Sequence, residues 1–434
     1  MLKRCGQNSE KKRNDVTREI RKAKTQYKNK LIDRINDKNI SVKTWFKLSK
    51  QLMNKKGSSN IPTLVDESTE ASTDLDKTNL LNKYFCKQST IDDSGHNLPP
   101  TGQTVQLSKC INIINISPQD VQDAISTVDP SKACGPDLIS PKLLREGSNE
   151  LALPLSIYFN KLICNSYFPS QWKLANVTPI YKKSDPSKPQ NYRPISLLSC
   201  LGKIMERCIH KYLYNFLIQN NILTSSQSGF MKGDSTVNQL VFIYNDICKA
   251  LDDGKEVRAV FCDISKAFDR VWHRGLLFKL SASGIRGQLL KWFSSYLSDR
   301  KQRVILSNTF SNWASINAGV PQGSILGPLL FLVYINDIVN DIGSTIKLFA
   351  DDTSLYIIVD DPITSSNSLN SDLEKIHQWA KTWLITFNPS KTETVLFSRK
   401  HNRAQHPPLT MNTVTIASVT DHKHLSLTLS ENAK

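Results

Sequence analysis

The sequence predicts an α+β fold, on three observations. Two apolar β-type runs, Ile346 to Leu348 and Leu355 to Ile358, flank Phe349-Ala350-Asp351-Asp352 closely enough to make a tight hairpin with both aspartates at its tip. A separate β-run from Val257 to Cys262 ends in a third acid, Asp263. Between Ser117 and Leu251 the chain carries apolar stripes at helical spacing, several of them opened by capping signals. The 434 residues, 39% of them hydrophobic, provide two or three domains' worth of core.

The formal charge is +17, from 56 Lys and Arg against 39 Asp and Glu. A field of that sign suits a polyanionic partner, nucleic acid before membrane, with a merely soluble basic protein as the alternative. Nine cysteines show no C-x-x-C spacing and form no ligand set with the eight histidines, which predicts free thiols in a reducing compartment. The start, Met1-Leu2-Lys3-Arg4, has no apolar stretch of a signal peptide. The longest apolar run, Ile325 to Ile335, is too short for a membrane span and contains Pro328. The expectation is an intracellular protein with no membrane partner.

In chain order, residues 1–57 hold 18 Lys and Arg against five Asp and Glu, a net +13. Val16, Ile20, Ala23, Tyr27, Leu31 and Ile35 recur at spacings of three and four, the stripe of an amphipathic helix whose other faces are basic. Such a helix suits RNA phosphates, and a solvated charged face is the plainer alternative. Residues 58–76 turn acidic and Ser/Thr-rich, as a linker does. A short helix near Leu80 to Phe85 and a loop at Pro99 to Gly102 follow.

Ser117-Pro118-Gln119-Asp120 is a capping box with proline at the first helical position, ahead of Val121, Ile125 and Val128 on one face. Lys132 to Asp137 breaks that helix, and Ser140-Pro141 starts another. A strand is predicted from Trp172 to Tyr181, and Asn191-Tyr192-Arg193-Pro194 leads into a long helical stretch from Leu198 to Ile218. A further amphipathic helix is predicted through Val237, Leu240, Val241, Tyr244, Ile247 and Leu251.

The acids carry the chemistry. Successive strand side chains point to opposite faces, so adjacent carboxylates converge on one site only where a strand breaks into a turn. Unpaired acids between buried apolar strands are expensive to desolvate, and a bound cation relieves that cost. Asp263, at the end of a buried strand, is either a helix cap or the third acid of such a site. Gly319-Val320-Pro321-Gln322-Gly323-Ser324 precedes an apolar helix and is either a simple turn or a backbone that approaches a ligand closely.

Taken together, Asp263 with Phe268 five positions on, Pro321-Gln322-Gly323, and Phe349-Ala350-Asp351-Asp352 resemble the polymerase core of reverse transcriptases. Thr178-Pro179-Ile180-Tyr181-Lys182-Lys183, Asn191 to Leu197, Gly319 to Ser324 and Asn388-Pro389-Ser390-Lys391-Thr392 narrow it to the non-LTR (LINE-type) retrotransposons, the jockey-like and chicken-repeat-like group. The resemblance covers roughly residues 117–430.

The resemblance implies a right-hand polymerase fold: a basic helical extension and acidic linker at 1–116, fingers at 117–256, and from 257 to 434 a palm of antiparallel sheet packed on helices, with the thumb missing. It implies RNA-directed DNA synthesis, with dNTPs, an RNA template and a DNA primer or target as partners in an intracellular ribonucleoprotein, nuclear or cytoplasmic. Two Mg²⁺, about 3.5–4 Å apart in such enzymes, or Mn²⁺ in their place, would be held by Asp263, Asp351 and Asp352 with the Ile264 carbonyl. Phe268 falls where a bulky ring excludes a ribose 2′-hydroxyl, and a core phenylalanine is the alternative. Arg193 matches an arginine that meets the triphosphate. Gln322 and Gly323 would line the nucleotide pocket, Lys391 would protonate the pyrophosphate leaving group, and Lys182 and Lys183 would touch template phosphates. Ser426-Leu427 stands where the family has a glycine, which puts the primer-grip turn in doubt. A truncated, catalytically inactive RNA-binding remnant is the alternative function, and a group II intron maturase ranks below both.

Overall fold

The computed structural model describes residues 2–37, 40, 44, 45, 48, 49, 52, 61–67, 69–100, 109–402 and 404–433. They fall into two compact units, Met1–Pro62 and Thr63–Lys434. In the first, α1 (Leu2–Ile35) realises the expected basic helix. Of its apolar stripe Leu31 is buried, whereas Ile20 and Tyr27 are exposed. The Val16 side chain lies outside the described residues.

The second unit begins where a linker was expected, and the structure differs there. The short strands β1 (Leu64–Asp66) and β2 (Thr69–Ala71) pair antiparallel. Leu64 is fully buried, and the Val65 N–H donates to the Ser187 carbonyl at 2.8 Å. The acidic, Ser/Thr-rich composition hid two apolar anchors, Leu64 and Ala71, that suffice to dock the hairpin. Residues 58–60 and 68 of that expected linker, and 101 and 102 of the Pro99 to Gly102 loop, lie outside the described residues.

Helix α2 (Asp74–Gln88) is capped by Thr73. The capping box at Ser117 forms as its residues dictate: the Ser117 hydroxyl accepts from the Asp120 N–H at the start of α3 (Pro118–Ser126), while the Asp120 carboxylate accepts from the Ser117 N–H. Helices α4 (Pro141–Glu146) and α5 (Ser148–Cys164) follow. Strands β3 (Leu174–Tyr181) and β4 (Tyr192–Leu197) pair antiparallel. The long helix α6 (Cys200–Gln219) and α7 (Thr236–Asp252) lead to β5 (Glu256–Cys262). Next come α8 (His273–Ala282), α9 (Gly287–Leu297), β6 (Arg300–Leu306), β7 (Thr309–Phe310), β8 (Ala314–Ile316) and α10 (Leu326–Ile335). Strands β9 (Thr345–Phe349) and β10 (Asp352–Val359), helix α11 (Pro362–Thr382) and strand β11 (Glu393–Phe397) follow. Five short strands complete the chain: β12 (Thr410–Met411), β13 (Val414–Thr415), β14 (Ala417–Ser418), β15 (Asp421–His424) and β16 (Leu427–Ser430).

Two sheets dominate this mixed helix-and-sheet unit. One runs β14-β11-β5-β10-β9, antiparallel except for β14 on β11. The other runs β4-β3-β6-β7, with β8 also on β6 and the β3/β6 pair parallel. Strand β5 is buried on both faces, and period-two alternation divides its side chains. Val257, Ala259 and Phe261 pack with Ile243 and Ile247 of α7, while Val260 and Cys262 join the main core. The expected stripe of α7 holds at Ile247 and Leu251, which with Ile243 and Ala250 face the sheet, and is corrected at Val237, Val241 and Tyr244, which are exposed. Counting apolar residues alone set the stripe about one residue off, because polar Gln239 sits on the buried side.

In the main core, Phe168 lies edge-on to Trp172, Trp292 and Tyr296, with ring centroids 5.6, 5.5 and 5.0 Å away. Phe168→Ala empties the centre of that cluster and is expected to destabilise the protein by about 3–5 kcal/mol, read from denaturant midpoints. The cysteines at 86, 110, 134, 164, 200, 208, 248 and 262 are free thiols. Among the described residues no helix is long and apolar enough to cross a membrane.

The β15–β16 hairpin closes through Leu425 and Ser426, with φ of 45° and 76°, at the place where the expected glycine is missing. Two side-chain-bearing residues in the left-handed region cost roughly 1–2 kcal/mol each, a strain that glycine would remove.

Candidate active site

The two-residue turn Ala350-Asp351 joins β9 to β10, closed by the Phe349–Asp352 pair, with Ala350 at φ 56°. The turn is braced from behind. The Gln227 side-chain carbonyl accepts from the N–H groups of Ala350 at 2.9 Å and Gly229 at 2.7 Å. Backbone bonds from the Leu348 N–H to Ser226 O and from the Ser228 N–H to Leu348 O, both 2.9 Å, lay residues 226–229 along the hairpin. A Cβ on Gly229 would stand 2.2 Å from the Ala350 nitrogen, so only glycine admits this approach.

Asp263 reaches the same place through register. Cys262 pairs with Thr353 across the antiparallel β5/β10 ladder, which sets the next residues, Asp263 and Asp352, side by side at one end of the sheet. The Asn388 N–H donates to the Asp263 carbonyl at 2.8 Å, and the Ser265 N–H donates to the Thr386 carbonyl at 2.9 Å. The segment carrying Lys391 is thereby tied to this strand end, with the Lys391 ammonium 3.9 Å from the Asp263 carboxylate. Both side chains are substantially exposed, so the pair contributes little to stability.

Burial, and then the charge of Asp263, pushes the Asp351 carboxyl up. Burial, followed by the charges of Asp351 and Asp263, pushes Asp352 up to about 6. These are acids whose ionised forms are short of positive charge. Among the described residues no three His, Cys, Asp or Glu side chains already converge as a metal-ligand cluster. The three carboxylates share a cleft, and Asp351 and Asp352 feel the charge of Asp263, without the three being drawn together.

That cleft, about 1000 Å³, is bordered by Asp263, Ile264, Phe268, Asp351 and Asp352, by Lys182, Lys183 and Arg193 from the end of β3 and from β4, and by Gln322, Gly323 and Lys391. Every residue singled out from the sequence therefore lies on one surface. Lys266, at φ 53°, joins the basic side, with its ammonium 5.8 Å from the Tyr84 ring of α2. Burial, then the repulsion of Lys182, brings its amine down to about 8. The Phe268 ring stacks on Phe331 at 4.7 Å and meets Phe230 edge-on at 6.1 Å. A ring fixed by core packing thus still borders the cleft.

The Pro321-Gln322-Gly323 loop is fastened on two sides. The Ser196 N–H of β4 donates to the Gln322 carbonyl, and the Val320 N–H donates to the Phe268 carbonyl, both at 2.8 Å. Gly323 has φ 125°, and a Cβ there would meet the Ser196 carbonyl oxygen at 2.6 Å. Behind the loop, the buried Glu206 carboxylate of α6 accepts from the N–H groups of Ile325 at 2.7 Å and Leu326 at 3.1 Å, capping α10. Sequence reasoning gave no role to Tyr84, Glu206, Gln227, Gly229, Phe230, Lys266 or Asp269. Only Lys266 and Asp269, flanking Phe268, carried a usable signal there, because the others reach the site from far along the chain.

Residues 180–423 match the family model described as reverse transcriptase (RNA-dependent DNA polymerase). The chain is 33% identical to the probable RNA-directed DNA polymerase from transposon BS of Drosophila melanogaster, over 75% of this chain and 36% of that protein. It is 32% identical to the RNA-directed DNA polymerase from mobile element jockey of the same organism, over 72% of this chain and 35% of that protein. With the retrovirus-related Pol polyprotein from type-1 retrotransposable element R1 of Bradysia coprophila it shares 26% identity, over 72% and 31%. The chain spans about a third of the length of these curated relatives.

Proposed function

Because the chain belongs to the reverse transcriptase (RNA-dependent DNA polymerase) family, we propose that its cleft carries out RNA-templated DNA synthesis. A deoxynucleotide would pass from a dNTP to a primer 3′-hydroxyl, originally in the retrotransposition of a non-LTR element. The observation that carries this is the gathering in one cleft of three carboxylates at a sheet end and four cations, Lys182, Arg193, Lys266 and Lys391. Triphosphate transfer needs that polarity. In this reading the β14-β11-β5-β10-β9 sheet with its helices is the palm, residues 117–256 are the fingers, and residues 1–116 are an extension.

Asp263, Asp351 and Asp352, with the Ile264 carbonyl, form an all-oxygen donor set suited to hard Mg²⁺, with Mn²⁺ as a substitute. The raised carboxyl pKa values of Asp351 and Asp352 fit that assignment, since these two acids lack the positive charge a cation provides. Two bound divalent ions would supply activation of the primer hydroxyl and neutralisation of the charge that builds on the phosphate. The chain's own residues do the rest. Arg193 meets the triphosphate through its planar fork, and Lys391 provides a proton to the departing pyrophosphate. Phe268 excludes a 2′-hydroxyl, Gln322 and Gly323 line the base and sugar pocket, and Lys182 and Lys183 steady template phosphates. The partners are an RNA template, a DNA primer or target and dNTPs, in a ribonucleoprotein of nucleus or cytoplasm.

The test is primer extension by this chain on an RNA template. Incorporation that requires dNTPs and a divalent cation, and stops on chelation, is the expected result. Salt-dependent RNA binding without any incorporation would instead favour the non-catalytic remnant.

A further inference from the structure

Asp269 directly follows the Phe268 ring, yet the proposed chemistry gives it no part. It is buried, and it lies where the large cleft meets a second cavity of about 20 Å³ bordered also by Lys173 and Arg300. That is room for about one water molecule. Burying a carboxylate is costly unless it is bonded. Its bond is specific: Asp269 Oδ1 accepts from Gln322 Nε2 at 2.8 Å. Burial pushes the acid up to about 6, while the Gln322 bond and the charges of Lys266 and Lys182 pull the other way.

An ionised carboxylate only accepts, whereas a carboxamide has a donor end and an acceptor end. Asp269 therefore decides which end of Gln322 turns inward. The Gln322 backbone is held independently, by Ser196 on one side and, through Val320, by Phe268 on the other. Gly319 closes the arrangement, because a Cβ there would stand 2.7 Å from the Asp269 carbonyl oxygen. With the backbone fixed, the bond to the buried acid sets which end of the amide turns inward.

We propose that Asp269 is a positioning residue that orients the Gln322 carboxamide, turning its NH₂ inward and its carbonyl oxygen toward the cleft as an acceptor for a hydrogen-bond donor on the incoming deoxynucleotide. This rests on the reading of Gln322 as a nucleotide contact. It also makes Asp269 the link between the segment bearing Phe268 and the loop bearing Gln322.

The experiment measures dTTP affinity for the full chain on an RNA template annealed to a dideoxy-terminated DNA primer, so that binding is read without turnover. Asp269→Leu is expected to weaken dTTP about tenfold or more, and Asp269→Asn, which retains an acceptor but no longer dictates the amide's orientation, by a smaller factor. Primer–template affinity should stay unchanged in both. Gln322→Met should weaken dTTP by itself, and adding Asp269→Asn to it should cost nothing further, because the group to be oriented is gone. If Asp269→Leu does not fold, Asp269→Asn and the double variant decide. Wild-type dTTP affinity in Asp269→Asn, or a full additional loss on the Gln322→Met background, overturns the proposal alone. Unchanged dTTP binding by Gln322→Met, or none by the wild-type chain, overturns the nucleotide reading and the proposal with it.

Discussion

Asp351→Asn is expected to lower primer extension by about 10³-fold or more, a barrier increase of roughly 4 kcal/mol, while leaving the protein folded. The side chains are nearly isosteric, and the hairpin turn is held by backbone bonds and by Gln227, none of which uses the Asp351 carboxylate. What the substitution removes is a charge at a position where burial and Asp263 already disfavour charge. A carboxyl whose folded pKa is raised loses stability as pH climbs through that value. Near pH 7 the amide therefore relieves repulsion, and the melting temperature should hold or rise. Loss of activity together with retained or increased stability marks a residue kept for its charge. Equal extension rates in the two proteins would remove Asp351 from the catalytic assignment.

Gly229→Ala is expected to cost about 10²-fold in the same assay with all three acids intact, because a small displacement of reacting groups is that expensive. The added methyl would sit 2.2 Å from the Ala350 nitrogen and 2.8 Å from the Phe349 carbonyl carbon. Both are backbone atoms of the turn, so relief requires residues 226–229 to withdraw or the hairpin tip to move. The first strips the brace from the tip, and the second shifts Asp351 and Asp352 relative to Asp263 directly. Circular dichroism and melting report whether the fold survives, and a folded variant with wild-type extension would show that the tip does not depend on this brace.

Local chemistry made much of this legible beforehand. The β9–β10 hairpin follows from two apolar runs around a turn, and the capping box at Ser117 follows from four consecutive residues. The convergence of Asp263 on that hairpin needed more than periodicity: the family resemblance suggested it, and the Cys262–Thr353 register produces it. The misread cases share a physical cause. The orientation of α7 depends on which neighbours face it, so polar Gln239 lies inward while Val237 and Val241 lie outward. The bond from Gln322 to Asp269 and the brace from Gln227 to Ala350 span 53 and 123 residues, and no local pattern encodes such pairings.

Helix α2 has a wider consequence. It lies outside the 180–423 match, yet it sends Tyr84 to the rim of the cleft beside Lys266 and ties itself down through the Asn82 side chain, which donates to the Asn312 carbonyl at 2.9 Å. The shared family signature is therefore smaller than the working unit. Replacing Tyr84 would reshape the rim of the cleft while leaving every motif inside the matched segment untouched.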